Sequence, residues 1–371
     1  MRLGFAHHWT RPYESSWSGT PWQLRRTLAE RTTVVDLGTE LPKPTKHALR
    51  AVGLRRTPSG WRSMWRQHLL TQRIVEHRVS SNVRAETPDV VLEIQDLVRL
   101  PRPYIILQDL NYRLLLERFG RDGVPHFRAL SRRRVDALLA RQERIYESAA
   151  MLLPMSNWLA DSLRRSGIEE GRIRVVNPGV NANHYLDLPI AERRLGSTMK
   201  LLFIGRDFDT KGGEQVVKAF ALLRESCGDG ISLTIAGPAR WPLAGAIPVG
   251  VDFLGPVSTA AVGDLMNKHD LFVMPSLFEG FGMVFAEALI RGLPCVARNS
   301  CAMPEIVDRK SGGRLVNSES PQELAEVIMD ALSDDDLYRE CALRIGARRQ
   351  HFSWERAADD VMVAATMVLG Q

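Results

Sequence analysis

Residues 271–297 read LFVMPSLFEGFGMVFAEALIRGLPCVA, and this stretch decides the fold. An uninterrupted apolar run closing at Pro275 predicts a strand buried on both faces. A loop with Gly280 and Gly282 follows, a helix begins near Met283 and ends near Arg291-Gly292, and a second apolar run at 294–297 supplies the next strand. Strand, loop, helix and strand in that order form one crossover of a parallel sheet. Glycines on either side of Phe281 let the backbone approach a ligand with no Cβ in the way. The amides of Met283 and Val284 open the helix unsatisfied, where the positive end of the helix dipole favours a phosphate. Glu279 precedes that helix and Glu287 lies eight residues on, in its second turn. Carboxylates beside an anion site need hydroxyl donors to bind, and a sugar and a ribose at the two ends of a pyrophosphate would supply them. Taken singly, Glu279 reads as a loop carboxylate and Glu287 as an exposed helix residue; their shared context behind a buried strand favours the functional reading.

Upstream, GRDFDTKGGEQVVKAF (205–220) repeats the pattern. A strand ends at Gly205, Arg206 and Lys211 follow, and Gly212-Gly213 opens a helix. Arginine offers a planar fork to phosphate oxygens and lysine a point charge on a flexible stem, so the pair would neutralise a diphosphate leaving group. A solvated surface pair is the competing interpretation. The spacing fails the Walker A pattern, and no GxGxxG follows the first strand.

Similar alternation runs through the whole chain. Strands are expected at 3–6, 33–37, 90–94, 104–107, 151–153 and 173–176, with helices at 21–29, 61–79, 131–148 and 158–165. Further strands are expected at 201–205, 232–237, 251–255, 271–275 and 294–297. The segment 182–199 lacks a period and reads as a linker. The expectation is an α/β protein of two Rossmann-like, doubly wound parallel-sheet domains facing across a cleft, at 1–190 and 191–352, with a closing helix at 353–371.

Composition sets the outer bounds. The 371 residues are 44% hydrophobic and 25% charged, which excludes wholesale disorder and collagen-like repetition. No apolar run reaches membrane-spanning length, and the start MRLGFAHHW is unlike a signal peptide, so a cytoplasmic protein is expected. Cys227, Cys295, Cys301 and Cys341 lack metal-ligand spacing, so neither a metal site nor a disulfide frame is expected. The net charge of +6 hides an asymmetry: residues 1–190 carry 30 Lys and Arg against 19 Asp and Glu, and the remainder 19 against 24. Residues 43–78 hold nine basic groups and one acid, Glu76. There Trp61, Trp65 and Leu69 recur at helical spacing beside Arg62, Arg66 and Arg73. This predicts an interfacial helix for an anionic membrane surface, weighed against a core helix with a solvated face. Without aromatic platforms or a reading motif, nucleic acid is not an expected partner.

The motifs together resemble the retaining nucleotide-sugar glycosyltransferases of family 4, the "group 1" family with the GT-B fold. The resemblance covers about residues 150–370 and rests on SNWLADSLRRSGI (156–168), RVVNPGVN (174–181), the FIGR and KGG segments, the two glutamates of 279–287, and FSWE (352–355). It implies a donor site mainly in the second domain, an acceptor site mainly in the first, and a last helix that crosses back to the first. By the same resemblance, Arg206 and Lys211 bind the donor pyrophosphate, Glu279 the sugar hydroxyls, the Met283 and Val284 amides the distal phosphate, and Glu287 the ribose. Gly205, Gly280, Phe281 and Gly282 would line the donor. Gly19, flanked by Ser18 and Thr20, matches the glycine-rich loop after the first strand that approaches the phosphates. Where many relatives carry a histidine near the end of the fourth strand, this chain has Gln108 and Asp109; His7 and His8 are further candidates for the cleft.

The implied reaction moves a glycosyl group from a UDP-, GDP- or ADP-sugar to a hydroxyl of a glycan, glycolipid or small molecule, in the setting of cell-surface polysaccharide or glycolipid synthesis. Anomeric configuration is retained; the departing phosphate could take the acceptor proton on the same face, with a covalent route through a carboxylate, Glu279 being weakly placed as its nucleophile, as the other path. No cofactor is expected, and no obligatory metal. A nucleotide-sugar epimerase of GT-B-like fold and a non-catalytic nucleotide-sugar binding protein are the alternatives.

Overall fold

A computed structural model describes residues 1–370 apart from 10, 58–59, 124–129, 182–197 and 308–311. The chain forms two compact units, Met1–Gly179 with Trp354–Gln371, and Val180–Ser353. The boundary expected at residue 190 lies outside the described residues.

In the first unit, strands β1 (Arg2–Ala6), β2 (Thr33–Asp36), β5 (Val90–Ile94), β6 (Tyr104–Gln108) and β7 (Met151–Pro154) form a parallel sheet in the order β2-β1-β5-β6-β7. β5 and β6 are buried at every residue, as runs such as VVLEI and YIILQ require when helices cover both faces. The order reverses between β1 and β5, where the carboxyl ends of the strands open a crevice for ligands. A two-stranded hairpin, β3 (Leu54–Thr57) and β4 (Gly60–Ser63), stands apart from this sheet. The closing helix Trp354–Leu369 belongs to this unit: Ala357, Ala358, Val361, Ala364 and Ala365 are buried, and Arg31 forms an ion pair with Asp359 and donates to the Glu355 carbonyl.

The second unit carries β8 (Met199–Ile204), β9 (Ile231–Ala236), β10 (Val251–Gly255), β11 (Leu271–Met274), β12 (Cys295–Arg298) and β13 (Gly313–Val316), all parallel, in the order β10-β9-β8-β11-β12-β13. Its order reverses between β8 and β11. Val180 N donates to the Phe352 carbonyl at 3.0 Å, so the first and last turns of this unit are joined.

Three expectations need correction. The helix at 61–79 is instead strand β4, a 3-10 turn at Trp65–Gln67 and a helix from Leu69 to Glu86. The imidazole of His68 accepts from Leu70 N and fixes the helix start there. Trp61 pairs with Arg56 across the hairpin, so Trp61, Trp65 and Leu69 share no helical face. Second, residues 173–176 form no strand; a 3-10 turn at Glu170–Arg172 precedes them and only an isolated bridge joins Ile173 to Leu152. Third, β13 was not expected, because a four-residue edge strand behind Gly312 reads as loop. No helix among the described residues is long and apolar enough to cross a membrane.

Candidate functional site

At the carboxyl edge of the second sheet the two motif loops meet. Gly205 closes β8 by donating to the Ala236 carbonyl at 2.9 Å, and the chain turns back through Lys211 N, which donates to the Asp207 carbonyl at 3.0 Å. Gly212 (φ +74°) caps the helix Gly213–Cys227 and lies so near the end of β11 that a Cβ would stand 2.5 Å from the Pro275 carbonyl oxygen. Leu277 N donates to the Thr210 carbonyl at 2.8 Å, locking the loops together.

Lys211 and Glu279 therefore become neighbours across 68 residues. The ammonium forms an ion pair with Oε1 of Glu279, and Ser276 Oγ donates to the same oxygen at 3.2 Å. Their side chains are 25% and 12% exposed, so the pair is largely withdrawn from water, where its attraction is strengthened. Arg206 is exposed and forms no ion pair among the described residues. Sequence placed the lysine and the glutamate on different parts of a ligand; the structure joins them directly.

Gly280 and Gly282 are buried, and Gly282 (φ +88°) caps the helix Met283–Leu289. The Phe281 ring packs against Phe352 with centroids 6.2 Å apart, which commits the side chain to the core. Met283 and Val284 are half-buried at the helix start. Burial pushes the Glu287 carboxyl up to about 7, with the charge of Arg291 opposing. One residue the sequence did not signal is Arg298 at the end of β12. Buried, it donates to Gln215 Oε1 at 2.7 Å and to the Pro275 carbonyl at 3.1 Å, holding the loop that carries Glu279.

The first unit has its own cavity, of about 460 Å³, at the corresponding switch point. His7 and His8 follow β1, Gln95 and Asp96 follow β5, and Asp109 follows β6; all line it, joined by Arg66 and Arg141. Gln95 holds a left-handed conformation (φ +68°) and donates from Nε2 to Asp109 Oδ1 at 2.9 Å. Trp17 (φ +44°) and Ser18 (φ +57°) are likewise left-handed ahead of Gly19, which caps the helix Thr20–Ala29; Thr20 is buried. Non-glycine residues in this region cost roughly 1–3 kcal/mol each and concentrate where function requires them.

His7 Nε2 lies 2.9 Å from Ser16 Oγ. Burial, then the charges of His8 and Arg66, lower its pKa to about 3. Desolvation and the guanidinium groups of Arg66 and Arg141 lower that of His8 to about 3 as well, so both rings are neutral at pH 7. Burial raises Asp96, opposed by a hydrogen bond from Gln142 and by Arg141. Gln108 points into the core, accepting from Tyr146 Oη at 2.9 Å, so of the Gln108-Asp109 pair only Asp109 lines the cavity. Asp96 and Arg141 went unmarked in the sequence, and Arg66 was assigned to a membrane-facing tract instead. A usable signal was present: β5 and β6 end in the same dipeptide, EIQD (93–96) and ILQD (106–109).

Residues 191–345 match the family "Glycosyl transferases group 1". The match lies within the second unit. A D-inositol 3-phosphate glycosyltransferase of Jonesia denitrificans is 32% identical over 247 residues, covering 60% of this chain. The chain covers 58% of that relative, so it spans little more than half the length of the curated relative it matches. Over the whole chain, sucrose-phosphate synthase from Thermosynechococcus elongatus aligns with a TM-score of 0.70 at 17% identity, covering 100% of this chain and 99% of the other. Anabaena HepE, solved in complex with UDP-glucose, aligns at 0.66 and 16%, covering 99% and 100%. These likenesses show the fold, the two parallel-sheet units of GT-B. In the matched segment, the loops bearing Arg206, Lys211 and Glu279 lie at the switch point, the place where ligands bind in open parallel sheets.

Proposed function

We propose that the protein transfers a glycosyl group from a nucleoside diphosphate sugar to an acceptor hydroxyl, with retention at the anomeric carbon. The observation that carries this reading is the convergence of Lys211, Ser276 and Glu279 at the β8/β11 switch point, with Arg206 on the loop that leads to Lys211. A glycosyl donor presents there a diphosphate that needs cations and hydroxyls that need a carboxylate. As the anomeric C–O bond breaks, negative charge grows on the leaving phosphate, and Arg206 and Lys211 meet it with fixed charge. Lys211 would exchange its carboxylate partner for phosphate, leaving Glu279 to accept from sugar hydroxyls. The new bond forms between the acceptor oxygen and the anomeric carbon, and the acceptor proton passes to the departing phosphate on the same face. Glu287 takes the ribose hydroxyls.

The cations in this scheme belong to the chain, so EDTA is expected to leave turnover unchanged. UDP-glucose, bound by HepE, is the first donor to try, followed by GDP- and ADP-sugars. The acceptor belongs in the first unit's cavity, whose guanidinium groups and carboxylates suit a small hydroxylated anion. The D-inositol 3-phosphate named for the relatives is of that class.

The test is nucleoside diphosphate release across a panel of donors and acceptors, with the product anomer read by NMR. Release that requires the acceptor and yields the donor's own anomeric configuration is expected. Donor epimerisation without acceptor, or donor binding without turnover under any pairing, would overturn the proposal.

A further inference from the structure

We infer that Arg298 is a positioning residue, which sets the separation of Lys211 and Glu279 by bridging the two elements that carry them. The inference rests on the donor-site reading of that pair. Arg298 closes β12 and is 4% exposed. A guanidinium keeps its charge at any working pH, so a site that buries it must supply acceptors matched to its planar fork. Nη2 donates to Gln215 Oε1 at 2.7 Å, and Nη2 and Nε donate to the Pro275 carbonyl at 3.1 and 3.3 Å.

These two acceptors sit beside the charges of the site. Gln215 lies in the first turn of the helix Gly213–Cys227, just past Lys211. Its amide nitrogen is committed the other way, with Nε2 donating to the carbonyls of Ser318 at 3.2 Å and Ser320 at 3.1 Å, so the oxygen offered to Arg298 is fixed. Pro275 immediately precedes Ser276, whose hydroxyl donates to Glu279 Oε1. The Pro275 oxygen is also the atom against which Gly212 packs, so the guanidinium grips the point where the two loops touch. A buried charge adds little stability that an apolar side chain of like volume would not supply. A fork with one prong on each element does what an apolar side chain cannot: it fixes their spacing, and with it the distance from the ammonium to the carboxylate. A displacement of about 1 Å at such a site lowers a rate on the order of 10²-fold.

A double-mutant cycle in the full chain tests it, read as nucleoside diphosphate release with the donor and acceptor pair that supports turnover. Arg298→Lys keeps the charge and loses the fork. It should lower kcat about thirtyfold and leave donor KM within about threefold, with the donor-binding stoichiometry by calorimetry unchanged. In a Lys211→Ala background the same substitution should lower kcat less than about threefold, because the group it positions is gone. A residue of structure alone would cost the same factor in both backgrounds. Gln215→Met, which cuts the bridge from its other end, should repeat the pattern. Equal factors in both backgrounds, a loss confined to KM, or failure of both variants to fold would overturn the inference and leave Lys211 in its role. Absence of turnover under any pairing, or a Lys211→Ala enzyme within about tenfold of the parent, would instead bring down the donor-site reading, and this inference with it.

Discussion

Each parallel sheet opens its strand order at one point, and the two edges are furnished in opposite styles. At the second sheet, Gly205, Gly212, Gly280 and Gly282 bring backbone close in, and the charges placed there largely satisfy one another, Lys211 against Glu279 with Ser276 beside them. At the first sheet the edge is built of side chains: Arg66, Arg141, Asp96, Asp109 and two neutral histidines surround a cavity, and strain is carried by Trp17, Ser18 and Gln95. Backbone and small residues suit a ligand part common to many molecules, such as a diphosphate. Crowded side chains suit a part that must be told from its neighbours. Under the proposed function, the second edge would hold what is shared among donors and the first would select the acceptor.

The sharpest way to break that contrast is Lys211→Ala. It should reduce kcat/KM about 10²- to 10³-fold, roughly 3–4 kcal/mol of transition-state stabilisation, in steady-state nucleotide release. A loss below tenfold would remove the lysine from the chemistry. Next comes Asp109→Asn in the first cavity. It should raise the acceptor KM about thirtyfold, near 2 kcal/mol, while donor affinity by calorimetry stays unchanged; a change in donor affinity would merge the two roles. Gly282→Ala should cost ~1.5 kcal/mol of stability in urea unfolding, because it puts a Cβ at φ +88° and 2.9 Å from Phe285 Cδ2.

The smallest effect concerns Glu287. Its carboxyl titrates higher in the folded chain than in the unfolded one, so the native state keeps the proton longer and stability falls as pH rises from about 4.5 to about 7. Glu287→Gln removes that penalty and should stabilise by ~1 kcal/mol at pH 8, screened by the water at its half-exposed edge, with no gain at pH 4. If ribose recognition needs the ionised form, donor affinity of the parent should weaken as pH drops below about 7, and the variant should lose that dependence.

The same contrast explains what could be read in advance. The second edge is written in two short contiguous motifs whose glycines and charges are unusual together, so Arg206, Lys211, Glu279 and Glu287 could be named from order alone. Their pairing could not, because Lys211 and Glu279 meet only through the β8/β11 neighbour relation. Residues lining the first cavity run from His7 to Gln142 and are scattered along the chain: His7, His8 and Asp109 could be named from their places after strands, but no short motif joins Arg66, Asp96 and Arg141 to them. Tryptophans at 61 and 65 with Leu69 happen to fall at helical spacing, which outweighed the Pro58-Ser59-Gly60 turn signal and hid the hairpin. Sheet strands were legible because full burial imposes apolar runs.

The chain leaves the first unit after Gly179 and re-enters it at Trp354, and the Val180–Phe352 hydrogen bond closes the stretch between. In topological terms the second unit is a cassette whose ends meet, inserted before the last helix of its host. A stop codon near residue 353 would thus spare the cassette and strip a helix from the host.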